Sequence, residues 1–461
     1  MLTELRITNF KTWKDTGIIR LAPLTVVFGA NSAGKSSLGH LLLALKQTAL
    51  SSDRRRPLHL GDSNSLVDLG TFKDCIYNHD LSQPLGFRLA WRLPRSMEVK
   101  DPLNTSRRFR GDELTLDVSL KADKSEQPEI TELTYELKEK GKHVLYVAYS
   151  QTAPGVYELN SDAYRFTKTP GRQWPIGAPE KFYRVSEQSR ARYQNAGFLS
   201  DFALATEEVL NKFYYLGPLR DYPKRIYQWS GDTPEDVGQK GEYAIAAILS
   251  AKAQSRWINR GPKQRMYPFD EFIAGWLKDL GIIHSFIVRQ VAEGRKEYEV
   301  LVKTHAKGSE VNITDVGFGV SQVLPPLVEA YYCQIGSVVW MEQPEIHLHP
   351  LVQSRLADVF ISAVKSREFS IERNVQFIVE SHSEHFLNRL QRRIAEGWIS
   401  PDDVAIYFCK RHNGAAELET LKLNLFGEIE NWFENFFGNE MEELTARTVA
   451  AMKLKEKNTI K

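Results

Sequence analysis

Cysteine is scarce. The 461 residues hold three, Cys75, Cys333 and Cys409. They match neither a zinc spacing nor a paired disulfide framework. That excludes a disulfide-stapled secreted domain and points to a reducing, cytoplasmic setting. Net charge is equally small: 60 basic and 58 acidic side chains leave +2. Affinity for nucleic acid is therefore not carried by overall charge, and any basic surface is local. The runs at residues 54–56 and Arg107-Arg108-Phe109-Arg110 are the local candidates, and each also reads as a solvated loop. The opening Met1-Leu-Thr-Glu-Leu-Arg-Ile7 has no apolar signal core. Long uncharged runs are also missing, apart from residues 316–341, which only Glu329 interrupts. By length that run could cross a bilayer, but Pro325-Pro326 and Gly336 fit a buried helix followed by a buried strand. A membrane partner is not expected. No internal repeat is present, and no heptad run is long enough for a coiled-coil arm.

What is there is ordinary for a globular protein, with 42% hydrophobic and 26% charged residues. The length exceeds one simple core and implies inserted subdomains. Residues 2–8 alternate as an opening strand. Leu24-Thr-Val-Val-Phe28 is a short continuous apolar run, the mark of a strand buried on both faces. A helix follows over about 36–50, with Leu38, Leu41, Leu42 and Leu45 on one side. From Pro84 to about Phe166 the period is two, predicting an antiparallel sheet with one wet face. Helical patterns return over 187–280, broken by a loop-rich segment at 216–225. Strands resume at 286–288 and 297–302.

The segment Gly29-Ala-Asn31-Ser32-Ala33-Gly34-Lys35-Ser36 fits the pattern G-x-x-x-x-G-K-[ST] between a buried strand and a helix. Glycines let the backbone curl so that successive N–H groups point at phosphate oxygens, and the helix start adds partial positive charge. Lys35 is expected to reach the β- and γ-phosphates of ATP, and the Ser36 hydroxyl to ligate Mg2+. A second apolar strand, Val338-Val-Trp-Met341, ends at Glu342, placed to hold Mg2+ directly or through water. Gln343 comes next, and an amide can orient water but cannot take a proton at neutral pH. In an extended chain residues two apart point the same way, so Glu345 is the candidate base and slow turnover is expected. Just upstream, Gly317-Phe-Gly319-Val-Ser321-Gln322 opens a helix and makes a second anion-binding start. A second such device makes sense if it meets the γ-phosphate of an ATP held by another subunit. A further buried strand ends in Glu380-Ser381-His382, where His382 could bond the γ-phosphate.

Together these residues resemble the RecF/SMC/OLD-like group of ABC-type ATPases. Leu5-Arg-Ile-Thr-Asn-Phe10-Lys looks like the group's first strand, and Gly29-Ala-Asn-Ser-Ala-Gly-Lys-Ser-Ser37 like its P-loop. The segment from Phe318 to Gln322 takes the place of the ABC signature. Glu342-Gln-Pro-Glu-Ile-His-Leu-His-Pro350 resembles Walker B and D-loop, and Glu380 to His385 carries the switch histidine. Phe426-Gly-Glu-Ile-Glu-Asn-Trp432 is similar to a tail on uncharacterised bacterial members. The resemblance implies an α/β P-loop NTPase of ABC-ATPase type, with an antiparallel β subdomain and an inserted helical region. The expected division is an N-terminal lobe 1–95, a β subdomain 96–180, a helical insert 181–304, a C-terminal lobe 305–425 and a tail 426–461. Catalytic work is expected of Glu342, Gln343, Glu345 and His382. Nucleotide binding is expected of Gly29, Asn31, Ser32, Ala33, Gly34, Lys35, Ser36, Ser37, Gly319, Ser321 and Gln322, and metal binding of Ser36 and Glu342. Without coiled coils the shape implied is compact, and without room for a C-terminal nuclease any nuclease is a separate chain. The implied function is a slow ATPase switch that forms a homodimer or larger oligomer around ATP. It would control a nuclease or toxin effector in trans, or DNA, in anti-phage defence. A weakly hydrolysing scaffold and a DNA-maintenance ATPase remain the alternatives. The aromatic cluster Trp432, Phe433, Phe436 and Phe437 reads either as packing on the chain's own lobe or as a dock.

Overall fold

The computed structural model describes residues 1–171, 174–317, 319–431 and 447–451. Phe318 and the tail aromatics Trp432, Phe433, Phe436 and Phe437 lie outside them.

A six-stranded sheet forms the centre, ordered Phe213–Leu216, Val338–Glu342, Gln376–Glu380, Leu24–Gly29, Val404–His412 and Ala415–Leu421. The first five strands run parallel and the last returns as an antiparallel hairpin. Three of the four inner strands, Val338–Glu342, Gln376–Glu380 and Leu24–Gly29, are buried at every residue, as apolar runs covered on both faces must be. Their side chains divide by parity. Val27, Trp340 and Ile378 join a core that includes the Lys35–Leu50 helix and the antiparallel sheet. Val26, Phe28, Met341 and Val379 join a second core made with the helices Ala244–Ala253, Phe269–Asp279, Gly319–Tyr332, Pro350–Lys365 and Glu384–Ala395. Asp358 accepts from Arg389 and Arg393 across the last two helices, at 2.7 and 2.6 Å.

The antiparallel sheet has eight strands. Leu2–Phe10 and Leu85–Asp101 belong to it, followed by Asn104–Ala122, Pro128–Glu139, Lys142–Ala153 and Val156–Ser161. Phe87, Leu89, Leu116 and Tyr135 are buried, while Arg88 meets Asp117 and Glu136 on the other face. The alternating segments thus form one sheet with a dry and a polar side.

Three expectations change. The boundary expected at 95/96 falls inside the single strand Leu85–Asp101, because residues on both sides of it pair with the strand Asn104–Ala122. The basic run at 107–110 lies within the strand Asn104–Ala122 rather than in a loop. The region 181–304 also contributes more than helices. The strands expected at 286–288 and 297–302 are present as Ser285–Gln290 and Glu297–Lys303, in a small sheet with Tyr227–Gln228 and Val311–Asn312, whereas Phe213–Leu216, an edge strand of the central sheet, was not expected. Four residues between a helix and a loop are too few to show a period.

Candidate functional site

The functional side chains gather at the carboxyl ends of the parallel strands. Leu24–Gly29 leads into the glycine loop, and Gly29 has φ 142°. A Cβ there would come 2.1 Å from the Cys409 carbonyl oxygen, so the loop approaches the neighbouring strand more closely than any side chain permits. Gly34, at φ 107°, starts the Lys35–Leu50 helix with no side-chain cap. The helix therefore opens with its N–H groups directed at the loop. Ala30, Asn31 and Ser32 are exposed on the rim and Ala33 is buried. Lys35 Nζ donates to the carbonyls of Gly29 at 2.9 Å and Ala30 at 2.8 Å. Burial lowers its pKa, against the raising pull of Glu380, Cys409, Glu342 and Glu345. The Ser37 hydroxyl turns inward, donating to Gly34 O at 2.5 Å and accepting from Trp13 Nε1 at 2.9 Å. That side chain braces the loop from behind.

The Ser36 hydroxyl sits 3.1 Å from Glu342 Oε2 and 2.9 Å from Glu380 Oε2. Parallel pairing sets Glu342 beside Glu380, each the last residue of its strand. Burial first, then the Glu342 carboxylate, pushes the Glu380 pKa up to about 8. One hydroxyl proton cannot serve both acceptors at once. Two buried carboxylates flanking a hydroxyl also form a hard-oxygen donor set that fits Mg2+. Among the described residues no group of three or more His, Cys, Asp and Glu side chains could hold a metal ion.

Beyond Glu342 the chain is a turn, not an extended strand. Gln343 has φ 43° and donates its N–H to Glu380 O at 2.8 Å, and Ile346 N returns to Gln343 O at 3.1 Å. The premise that Gln343 and Glu345 share a face of an extended chain therefore does not hold. Pro344 and the left-handed residue before it bend the backbone at once. Glu345 nonetheless points into the site region. Its Oε1 accepts from Ser381 Oγ at 2.8 Å and His382 N at 2.7 Å. Its Oε2 is buried without a partner among the described residues, and burial raises its pKa. The exposed His382 imidazole is held below its ordinary value by partial desolvation and then by Lys35.

The segment at 319–322 lines different space. Gly319 opens the Gly319–Tyr332 helix, and a Cβ on it would meet Leu348 of the turn after Glu342 at 3.9 Å. Ser321 is buried and borders a small hollow with Asp221, Tyr222, Glu242 and Pro325. Gln322, 3% exposed, has no partner for Nε2 among the described residues.

Sequence reasoning missed four contributors. Glu380 was visible as a strand-ending acid but not as the mate of Glu342. His40, on the P-loop helix, places Nε2 3.8 Å from Glu342 Oε1, and burial lowers its pKa. Tyr215 donates to Glu342 Oε1 at 2.5 Å, and Arg220 donates to Glu342 O at 3.1 Å. Tyr215 comes from the edge strand Phe213–Leu216, for which no sequence signal existed, and Arg220 from the loop-rich segment after it, which sequence marked only as a loop.

A glycine loop between buried strand and helix, an acidic strand end beside it and this strand order define an α/β P-loop NTPase of ABC-ATPase type. The chain belongs to the family described as "AAA domain, putative AbiEii toxin, Type IV TA system", which matches residues 24–388. That membership places it among AAA/ABC-type ATPases, consistent with the RecF/SMC/OLD-like resemblance. A second family, described as "Protein of unknown function (DUF3696)", matches residues 399–446. No curated protein matches the chain. Similar solved structures include an SmcHead bound to the C-winged helix domain of ScpA, at 12% identity and TM-score 0.42, covering 92% of this chain and 98% of that one. The SMC head domain from Thermotoga maritima shares 10% identity at TM-score 0.39, covering 91% and 99%. A Smc head domain with an extended coiled coil, bound to the C-terminal domain of ScpA derived from Pyrococcus furiosus, shares 11% at TM-score 0.41, covering 92% and 96%. Among the described residues no helix is long and apolar enough to cross a membrane.

Proposed function

We propose that this chain is a cytoplasmic ATP-driven switch that closes as a head-to-tail homodimer around Mg·ATP and hydrolyses it slowly. The observation that carries the reading is the Ser36 hydroxyl between the Glu342 and Glu380 carboxylates, beside the Lys35 ammonium. Phosphate oxygens fit the N–H groups of the glycine loop and would take up Lys35 in place of the Gly29 and Ala30 carbonyls. Ser36 and Glu342, with Glu380, would hold Mg2+, which supplies charge neutralisation of the phosphates when bound. Glu345 is the base assigned to the attacking water, since Gln343 can only orient it. Ser321 and Gln322 serve the ATP of the facing subunit. Gln322 Nε2 is buried without a partner among the described residues, which leaves it free to bond a group brought by the facing subunit. The resemblance, together with a family description that mentions a toxin and a type IV toxin–antitoxin system, favours control of a toxin or nuclease effector, or of DNA, in anti-phage defence.

Light scattering tests the assembly. Wild-type chain is expected to double its mass with Mg·ATP and to return to monomer with ADP. A mass unchanged by either nucleotide would remove the dimer from the reading.

A further inference from the structure

We infer that Tyr215 and Arg220 are positioning residues of the nucleotide site, clamping Glu342 from the edge of the central sheet. The inference rests on the reading of Glu342 as a Mg2+ ligand.

Phe213–Leu216 pairs in parallel with Val338–Glu342, setting Tyr215 opposite Trp340 and Leu216 opposite Met341. The chain then crosses the end of that strand. Tyr215 Oη donates to Glu342 Oε1 at 2.5 Å, while Ser36 contacts Oε2 at 3.1 Å. Each carboxylate oxygen thus has its own donor, one on either side, and the plane of the group is set. The backbone is held in the same way. Arg220 Nη2 donates to Glu342 O at 3.1 Å, and the next N–H, that of Gln343, donates to Glu380 O at 2.8 Å. The peptide at which the strand breaks into the left-handed turn is therefore gripped at both its carbonyl and its amide.

Arg220 does more than fill space. It is 8% exposed, yet its Nε and Nη1 have no partner among the described residues. Buried arginines whose role is structural ordinarily satisfy their fork. Arg220 instead keeps a largely unpartnered cation beside the Glu342 carbonyl. A fixed donor and a fixed cation behind a metal ligand set its direction and charge, as outer partners do at metal sites.

Mn2+ can report on the clamp as a paramagnetic stand-in for Mg2+. Full-length wild type, Tyr215→Phe, Arg220→Met and Arg220→Lys are titrated with Mn2+ and a non-hydrolysable ATP analogue, following free Mn2+ by electron paramagnetic resonance. Melting temperature and metal-free analogue affinity are measured alongside. Tyr215→Phe is expected to weaken Mn2+ retention about tenfold, the worth of one hydrogen bond to a charged group. Its melting temperature and metal-free affinity remain those of wild type. Arg220→Met weakens Mn2+ similarly and Arg220→Lys recovers part. Variants that retain Mn2+ as wild type does, whether or not they melt earlier, overturn the clamp and leave the nucleotide site standing. A wild type that retains no Mn2+ with the analogue overturns the metal reading of Glu342, and the clamp with it. If Arg220→Met does not fold, Tyr215→Phe, which removes one oxygen, decides alone.

Discussion

Lys35 brings three N–H groups to the glycine loop, and two of them reach the carbonyls of Gly29 and Ala30. Lys35→Ala removes the cation while leaving the glycines and the helix start in place. Charge-assisted hydrogen bonds are worth roughly 1.5–3 kcal/mol, so affinity for a fluorescent ATP analogue is expected to fall about ten- to a hundredfold. An unchanged affinity would remove the phosphate assignment. Glu345 allows a cleaner chemical test. Its Oε1 accepts from Ser381 and His382, and the amide oxygen of a glutamine can accept the same two bonds. Glu345→Gln therefore keeps the turn and deletes only basicity. Loss of a general base costs about 10²–10⁴ in rate, so steady-state phosphate release is expected to become undetectable. Hydrolysis that survives this change assigns the proton elsewhere. Gln343→Ala should retain part of the slow wild-type rate. Gln343→Glu should exceed it, because the position after Glu342 then regains a carboxylate.

The P-loop helix docks on the Walker B strand at one point of unusually close approach. A Cβ on Gly39 would lie 2.7 Å from Trp340 Cε2, and Trp340 Nε1 donates to Glu380 Oε1 at 2.8 Å. Gly39→Ala gains about 0.5–1 kcal/mol of helix preference but overpacks a filled contact at about 1–3 kcal/mol. The second effect wins. A lower urea midpoint is expected, together with weaker Mg·ATP binding as Trp340 is pushed off Glu380. A midpoint at or above wild type would show that the helix can shift freely. The helix Gly319–Tyr332 carries its own titrating group. Glu329 is buried, accepts from Val237 N at 3.0 Å, and has its pKa pushed up to about 8. Burial is the main cause, with Asp236 adding to it and the Val237 N–H, Arg373 and Lys46 opposing. An acid whose folded pKa lies above its unfolded value contributes stability that is complete below the unfolded value and lost as pH rises through the folded one. Glu329→Gln should therefore melt close to wild type near pH 5 and above it at pH 9. Equal melting curves for the two chains at pH 9 would rule out this group as the source.

At the scale of the whole molecule, Ser321 borders the hollow beside Asp221 and Glu242, while Lys35 lies at the glycine loop. If each ATP is completed by two chains, Lys35→Ala and Ser321→Arg chains are each inactive alone. Mixed, they should recover one working site per heterodimer, up to about a quarter of the wild-type rate at equal ratio when the sites act independently. Circular dichroism on the Ser321→Arg chain checks that the buried substitution leaves it folded. No recovery at any ratio, with both chains folded, counts against a site shared between independent halves.

What the sequence determined by itself was local. Gly29 to Ser36 is one continuous segment whose chemistry depends on consecutive backbone groups, and Glu342 announces itself by ending an apolar strand. The period of two over 84–166 was equally legible, because alternation is a property of neighbours along the chain. The tertiary structure decided what lies far apart in sequence. Ser36 meets Glu380 across 344 residues, and Tyr215 meets Glu342 across 127. Those meetings depend on which strands pair and in what register, and a four-residue edge strand carries no periodic signal of its pairing. The turn at Gln343 was hidden for a related reason. A left-handed φ on a residue other than glycine is held by its surroundings, here the bonds from Arg220 to Glu342 O and from Gln343 N to Glu380 O, and no propensity of the chain itself predicts it.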